Sequence, residues 1–218
     1  PCPPAVAAFG RSAMSEPTLH RFGHEAMATR FELTLVHSDP AEATQAALAV
    51  WADIDGLEQQ LSRFISYSDI GRLNGSPAGR VVDLHEAAMD CLAYGKQIWE
   101  QTEGAFDMTI GPLYQVLRWP DGSPRKASAE EIREARARSG FHLLELDEEE
   151  FTAIPRADNM QVDPGAIGKG YALDQAADLL REQYGIVDAL LNAGTSTILG
   201  VGSMPGQDGW LVRAGDPE

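Results

Sequence analysis

Hydrophobic and polar residues alternate along the stretch from residue 29 to residue 35. Phe31, Leu33 and Leu35 share one side of the pattern, and the positions between them are polar. A period of two residues is typical of a β-strand that has one face in the core and the other in solvent. We therefore predict a half-buried strand here.

A long helix should follow this strand. Asp39 precedes Pro40, and Glu42 comes three residues after Asp39, which together indicate a helix start. Apolar residues then recur at intervals of three or four positions: Ala43, Ala46, Ala47, Val50, Ile54, Leu57 and Leu61. This spacing places them on one face, so the helix is predicted to pack that face against the core.

Further helices and strands are predicted along the rest of the chain. Helical patterns cover residues 86–102, ended by Gly104, and residues 170–184, closed by Gly185. Another helix begins at the capping box of Ser128 and Glu131 and stops before Gly140. Short strands are predicted at residues 80–84, 142–146, 160–163, 186–191, 197–201 and 210–214. Because strands and helices alternate irregularly, we expect an α+β domain rather than a doubly wound sheet.

The charge of the chain narrows its choice of partners. With 33 acidic residues against 17 basic ones, the formal net charge is −16. Nucleic acids and anionic membrane surfaces are held by clustered Lys and Arg, so we expect no nucleic-acid partner and no electrostatic attachment to a membrane. No apolar run reaches the length of a membrane span. No secretory signal is visible, but the chain does not begin with Met, so its compartment stays open.

The 218 residues suit one large domain or two small ones. The first 21 residues are rich in Pro and Ala without periodicity, which predicts a disordered tail. Two cysteines cannot make a disulfide framework, and Cys91 lies in a helical pattern of apolar residues. We expect its thiol to be buried.

The most informative candidate for chemistry is the segment of residues 162–174. A predicted strand ends at Asp163, a Gly-rich turn follows, and a helix then starts with Lys169 at its N-terminus. Glycines allow backbone N–H groups to approach an anion, and a helix N-terminus adds partial positive charge. The segment therefore indicates a phosphate site, and the alternative is an ordinary tight turn between a strand and a helix.

Two other segments carry aromatic residues beside polar ones. In residues 103–113, Phe106 and Asp107 form either a floor for a heterocyclic ring or a core side chain next to a helix cap. In residues 61–74, a Ser-rich turn leads into a short helix that closes at Asn74. Phe64 in that turn either stacks on an aromatic ligand or belongs to the core.

Together these segments resemble the FAD:protein FMN transferase (ApbE) family. Residues 25–31 are similar to the family's Met-Gly-Thr entrance to its first strand, with Ala28 in place of Gly. Residues 62–74 are similar to its Ser-x-Phe/Tyr segment, and residues 104–113 to its Ala-Phe-Asp motif. Residues 163–174 are similar to its Asp-x-x-x-Ile-x-Lys-Gly-Tyr-x-x-Asp signature. The four motifs occur in the family's order.

The resemblance implies a tunnelling-type α+β domain over residues 22–218, with a mostly antiparallel sheet backed by helices. It implies a magnesium ligand at the backbone carbonyl of Ala166. It implies flavin contacts at Met27, Phe64, Ala105, Phe106, Asp107, Asp163 and Lys169. The chain departs from the family at residues 194–196, which read Gly-Thr-Ser instead of Gly-Gly-Asp. We also expect the family's C-terminal third, with its other magnesium ligands, to be missing.

The activity that the resemblance implies is Mg²⁺-dependent transfer of the FMN moiety of FAD to a Thr or Ser of an acceptor flavoprotein, with release of AMP. Two alternatives remain open, an FAD pyrophosphatase and a flavin-binding protein without catalysis. A homodimer also remains open.

Overall fold

The computed structural model describes residues 16–213, whose backbone forms two antiparallel sheets backed by helices. The α+β class expected from the sequence is confirmed. The larger sheet has the order β1-β2-β6-β7, with strands β1 (Thr18–Ala26), β2 (Thr29–His37), β6 (Ala189–Ala193) and β7 (Thr197–Val201). The alternation in β2 is also confirmed, because Phe31, Leu33 and Leu35 are buried in the core.

A two-residue turn joins β1 to β2. Ala26 pairs with Thr29, so Met27 and Ala28 form the turn, and their φ angles are 49° and 56°. Two consecutive left-handed residues define the hairpin turn that matches the twist of the strands, and glycine or asparagine usually occupies it. Ala28 therefore carries backbone strain that a glycine there would relieve.

The smaller sheet has the order β3-β5-β4, with strands β3 (Val82–Asp83), β4 (Leu144–Asp147) and β5 (Thr152–Pro155). The sequence did not predict β5, and its prediction of a strand at residues 160–163 is wrong. That segment makes a single bridge, between Gln161 and Ile110. The side chain of Asn74 occupies the N–H and C=O of Val162, so no strand pairs with it there.

The helices lie near their predicted positions: α1 (Pro40–Leu61), α2 (Asp69–Asn74), α3 (Glu86–Gln101), α4 (Gly111–Leu117), α5 (Ala129–Arg136) and α6 (Gly168–Tyr184). Asp39 caps α1 by accepting the N–H of Ala41 at 2.7 Å. Ser128 and Glu131 form both hydrogen bonds of the predicted capping box of α5. None of the helices in residues 16–213 is both long enough and apolar enough to cross a bilayer.

One continuous core joins the larger sheet to the helices. Helix α1 packs against the β1–β2 hairpin, α6, α2 and α3, and α6 also packs against β6 and β7. The predicted apolar face of α1 is buried throughout, together with Trp51. This arrangement brings the C-terminal end of α1, the hairpin turn and the start of α6 to one region, where the candidate site lies.

Two predictions about the ends of the chain need correction. Residues 18–21, expected to belong to a disordered tail, lie in β1, where Thr18 pairs with His37 and Arg21 with Thr34. The tail prediction for residues 1–15 lies outside the described residues. Residues 210–213 form no strand, because Trp210 packs over Gly200 and donates its indole N–H to the carbonyl of Val201 at 2.8 Å. Residue 214 of that prediction lies outside the described residues.

Candidate functional site

Asn74 joins two of the predicted motifs. At the end of α2, its side-chain N–H₂ donates to the carbonyl of Val162 at 2.9 Å, and its Oδ1 accepts the N–H of Val162 at 2.7 Å. The side chain of Gln161 donates to the backbone carbonyl of Asn74 at 3.0 Å. These three bonds hold residues 62–74 against the segment that leads into Asp163.

Asp163 performs two tasks. Its Oδ1 accepts the N–H of Gly165 at 2.9 Å and caps a one-turn 3₁₀ helix, Pro164–Ala166. Its Oδ2 lies 3.1 Å from Nε of Arg63 in an ion pair that is about one-third exposed on both sides. One oxygen of Asp163 thus caps a tight turn, as in the alternative given for this segment, while the other faces Arg63, a cation that the motifs do not include.

Arg63 also stacks on an aromatic ring. Its Cζ lies 4.3 Å from the centre of the Phe64 ring and 5.9 Å from that of Tyr114. Phe64 is 77% exposed, so it does not belong to the core. The core alternative for Phe64 is therefore wrong, and its ring is available for a ligand. A lone cation next to an aromatic residue in a Ser-rich turn was the available signal for Arg63.

Four of the predicted flavin contacts line one depression, which we call the Lys169 cavity. Met27 enters it from the hairpin turn, Phe64 from the segment after α1, Asp163 from the 3₁₀ cap and Lys169 from the first turn of α6. Its lining is Met27, Ala28, Glu58, Leu61, Ser62, Arg63, Phe64, Asp163, Pro164, Gly165, Gly168 and Lys169. The ammonium of Lys169 donates to the carbonyl of Gly165 at 3.1 Å, and no side chain caps the start of α6. A cation at an uncapped helix start favours an anionic ligand.

Phe106 and Ala166 line a second depression, which we call the Tyr171 cavity. It lies between α3 and the start of α6 and is lined by Asp90, Cys91, Tyr94, Ile98, Phe106, Ala166, Ile167, Gly170, Tyr171 and Asp174. The phenol of Tyr171 donates to Oδ2 of Asp90 at 2.9 Å. Burial, and then this hydrogen bond, raise the pKa of Tyr171. Burial likewise raises the pKa of Cys91 to about 12, which keeps it a protonated thiol.

The two cavities share a wall. Gly165 and Lys169 line the Lys169 cavity, whereas Ala166 and Gly170 line the Tyr171 cavity. The segment from the 3₁₀ cap to the start of α6 therefore exposes one set of residues to each side. Six of the eight predicted site residues are thus divided between two depressions, and a ligand that contacts all six must extend across this wall.

Ala105 and Asp107 are not among the residues that line either cavity. Oδ1 of Asp107 accepts the N–H of Thr109 at 2.8 Å and its hydroxyl at 2.7 Å. Asp107 thus closes a local turn before α4, whose own first cap residue, Ile110, makes no side-chain cap bond. The flavin contacts at these two positions stay predictions.

The departure at residues 194–196 lies beside the hairpin. Gly194 donates its N–H to the carbonyl of Arg30 at 2.9 Å, and its φ is 65°. A Cβ on this residue would lie 2.1 Å from Oγ1 of Thr29, so the close approach requires glycine. Gly194 therefore has a structural role, which does not depend on any ligand contact of Thr195 or Ser196.

Metal-binding side chains are sparse in the described part of the chain. Residues 16–213 contain no group of three or more His, Cys, Asp or Glu side chains placed to hold an ion. In the Tyr171 cavity, the carboxylates of Asp90 and Asp174 line the same space as Ala166, and Asp90 already accepts a bond from Tyr171. Mg²⁺ prefers six oxygen ligands in near-octahedral geometry. The described residues therefore do not form a complete magnesium site.

Comparison with known proteins places the chain in a family. The model of the ApbE family matches residues 27–218. The chain belongs to the ApbE family. This confirms the resemblance drawn from the four sequence motifs.

Curated ApbE relatives are named FAD:protein FMN transferase. One from Klebsiella pneumoniae is 30% identical over 176 residues, which cover 79% of this chain and 50% of the relative. Another, from Salmonella typhimurium, is 28% identical over 172 residues, which cover 77% of this chain and 49% of the relative. The chain thus spans about half the length of the curated relatives it matches.

Solved ApbE structures have a similar fold. The flavinyl transferase ApbE of Pseudomonas stutzeri, in its apo form, has a TM-score of 0.72 at 29% identity, over 83% of this chain and 57% of that structure. The flavin transferase ApbE of Vibrio cholerae has a TM-score of 0.76 at 22% identity, over 85% and 60%. The second likeness bears on the fold alone, and it agrees with the α+β architecture described above.

Proposed function

We propose that this protein is an FAD:protein FMN transferase that attaches the FMN moiety of FAD to a Thr or Ser of an acceptor flavoprotein. The strongest support is that four of the predicted flavin contacts line one cavity at the start of α6: Met27, Phe64, Asp163 and Lys169. An exposed ring, a carboxylate, a lysine and a helix N-terminus suit a ligand that has both an aromatic system and phosphates.

In the proposed reaction, the acceptor hydroxyl oxygen attacks the phosphorus on the flavin side of the pyrophosphate. The bond from that phosphorus to the bridging oxygen breaks, and AMP leaves with the bridging oxygen. The hydroxyl proton passes to a base or to solvent, so the products are an FMN phosphodiester of the acceptor and AMP. The protein must hold the phosphates and offset the charge that develops on their oxygens.

The residues on the cavity walls suit distinct parts of this task. The exposed ring of Phe64 would pack against the flavin, with Met27 beside it. Lys169 and the start of α6 would face the phosphates, and Asp163 would accept hydrogen bonds from polar atoms of the ligand. An FAD molecule that extends across the shared wall would contact Phe106. Ala105 and Asp107 lie next to Phe106 in the chain.

Magnesium dependence is part of the proposal and rests on the family resemblance. The Ala166 carbonyl is the proposed protein ligand, and oxygen is the ligand type that Mg²⁺ prefers. Mg²⁺ supplies positive charge to phosphate oxygens when it binds. Because the described residues do not complete its coordination, chelation is the direct test: excess EDTA should abolish transfer, and added Mg²⁺ should restore it.

The test of the function mixes the protein, expressed at the full length of its gene, with FAD, Mg²⁺ and an acceptor flavoprotein, because the described residues do not complete a magnesium site by themselves. Fluorescent flavin on the acceptor in a denaturing gel, with an equal amount of AMP, is the expected result. FMN in place of FAD is the matched control, because it has no pyrophosphate to cleave and should give no product. AMP without labelled acceptor would identify an FAD pyrophosphatase. Flavin binding without AMP would identify a binding protein, and no binding would refute the proposal.

A further inference from the structure

Arg63 lies in the Lys169 cavity, but it is not one of the flavin contacts that the family motifs imply. Two contacts fix its guanidinium. Nε pairs with Oδ2 of Asp163 at 3.1 Å, and Cζ lies over the exposed Phe64 ring, 4.3 Å from the ring centre. A guanidinium held at one edge and one face loses little further freedom when it binds a ligand.

The remaining donors of Arg63 are unused. A guanidinium has five N–H groups, and only Nε is placed against Asp163. Within residues 16–213, the two Nη groups have no hydrogen-bond acceptor. The side chain is 30% exposed, and it lines the same cavity as Lys169. Four directed N–H donors of Arg63 are therefore available in the cavity that Lys169 also lines.

Charge alone would not make this a phosphate site, because two acidic residues also line the cavity. Arg63 pairs with Asp163, and with Glu58 and Lys169 included the formal charges of the four side chains are balanced. What distinguishes Arg63 is the fork of donors, which matches two oxygens of a phosphate group. The pyrophosphate of FAD offers such oxygens, and riboflavin does not.

We propose that Arg63 binds the pyrophosphate of FAD directly, with Asp163 and Phe64 orienting its guanidinium and Lys169 as the neighbouring cation. This inference rests on the proposed function for the identity of the ligand. Asp163 thereby gains a second role, as the residue that positions Arg63. Arg63 selects for phosphorylated flavins, whereas Phe64 contacts the ring that all flavins share.

The experiment measures the affinities of riboflavin, FMN and FAD by titration of flavin fluorescence. Arg63→Met keeps an unbranched aliphatic side chain and removes the guanidinium with its donors. FAD affinity should fall at least about tenfold, since hydrogen bonds to charged groups are worth that much, while riboflavin affinity should change less than about threefold. The matched control is Arg133→Met, which removes the same charge from the Arg133–Glu130 pair on α5 and should leave all three affinities unchanged.

A second pair of variants, made in the Asp163→Asn protein, separates direct binding of FAD by Arg63 from an indirect role in which Arg63 only holds Asp163. In Asp163→Asn, adding Arg63→Met should still weaken FAD binding severalfold, because the Nη donors are lost. No further loss in that background would show that Arg63 acts only by holding Asp163, and would overturn the inference. Equal losses for riboflavin and FAD would also overturn it, since Arg63 would then only support Phe64.

These outcomes are distinct from failure of the proposed function. If the wild-type protein binds FAD and transfers FMN while Arg63→Met binds FAD equally well, the inference fails and the function stands. If the wild-type protein binds no flavin, both fail.

Discussion

Asn74 should contribute more to stability than other partly buried polar side chains, because it satisfies both backbone groups of a buried residue. Val162 is 1% exposed, and its N–H and C=O each bond to the side chain of Asn74, at 2.7 and 2.9 Å. A buried backbone group left without a partner costs about 1–3 kcal/mol. Asn74→Ala should therefore lower the free energy of unfolding by about 2–4 kcal/mol, since water can enter the space left by the amide and satisfy part of the loss.

The assay is urea unfolding followed by far-UV circular dichroism, with the slope of the transition checked for constancy. Asn192→Ala is the matched control. Among the described residues, Oδ1 of Asn192 is buried without a partner, and the side-chain N–H₂ of Asn192 donates to Oε2 of Glu32 at 3.5 Å, a long hydrogen bond. Its removal should cost less than about 1 kcal/mol. Equal losses in the two variants would refute the reasoning. Asn74→Ala should also weaken FAD binding, because Val162 directly precedes Asp163.

Three further outcomes follow from single residues. Lys169→Ala should weaken FAD binding at least about tenfold in a fluorescence titration, with an unchanged far-UV spectrum, since the one hydrogen bond of its ammonium to the described residues goes to the carbonyl of exposed Gly165 in the 3₁₀ turn; an unchanged affinity would contradict its role. Ala28→Gly should raise the free energy of unfolding by about 0.5–1 kcal/mol in thermal melts. The backbone strain that is removed at this left-handed position is larger than the entropic stabilisation that glycine gives to the unfolded chain. A loss of stability would contradict this. Cys91, buried and with its pKa raised to about 12, should resist iodoacetamide at pH 8 in the folded protein, and rapid alkylation of its peptide in a mass spectrum would disprove that.

Local signals predicted the helices well. The cap at Asp39 and the capping box at Ser128 depend on residues two or three positions apart, so a short window of sequence contains all of the evidence. The sequence did not predict strand β5, because β5 is only four residues long, ends in Pro155 and shows no alternation of polar and apolar residue types. The first four residues of β1 resembled a tail because the strand lies at the sheet edge and most of its side chains are exposed.

The candidate site was predictable only in part. The motifs identified Met27, Phe64, Asp163 and Lys169, and the structure brings these four together. The aromatic neighbour of Arg63 was a local signal for its cation–π contact, but its ion pair with Asp163 joins residues far apart along the chain, and no local pattern shows that contact. The split of the site by the 3₁₀ turn was equally hidden, because spacing along a chain does not tell which side of a turn each residue faces.

The order of strands in the larger sheet has a consequence for the synthesis of this protein. Strand β2 pairs with β6, and residues that face each other across this pair, Glu32 and Asn192, are 160 positions apart. At typical translation rates the hairpin of β1 and β2 must wait roughly 8–32 s for its second neighbour to be made. During that time the apolar side chains of β2 need a cover, and α1 is the next element to emerge. Its small, Ala-rich face can dock on the hairpin first and cover these apolar side chains, while the backbone edge of β2 stays unpaired until β6 is made.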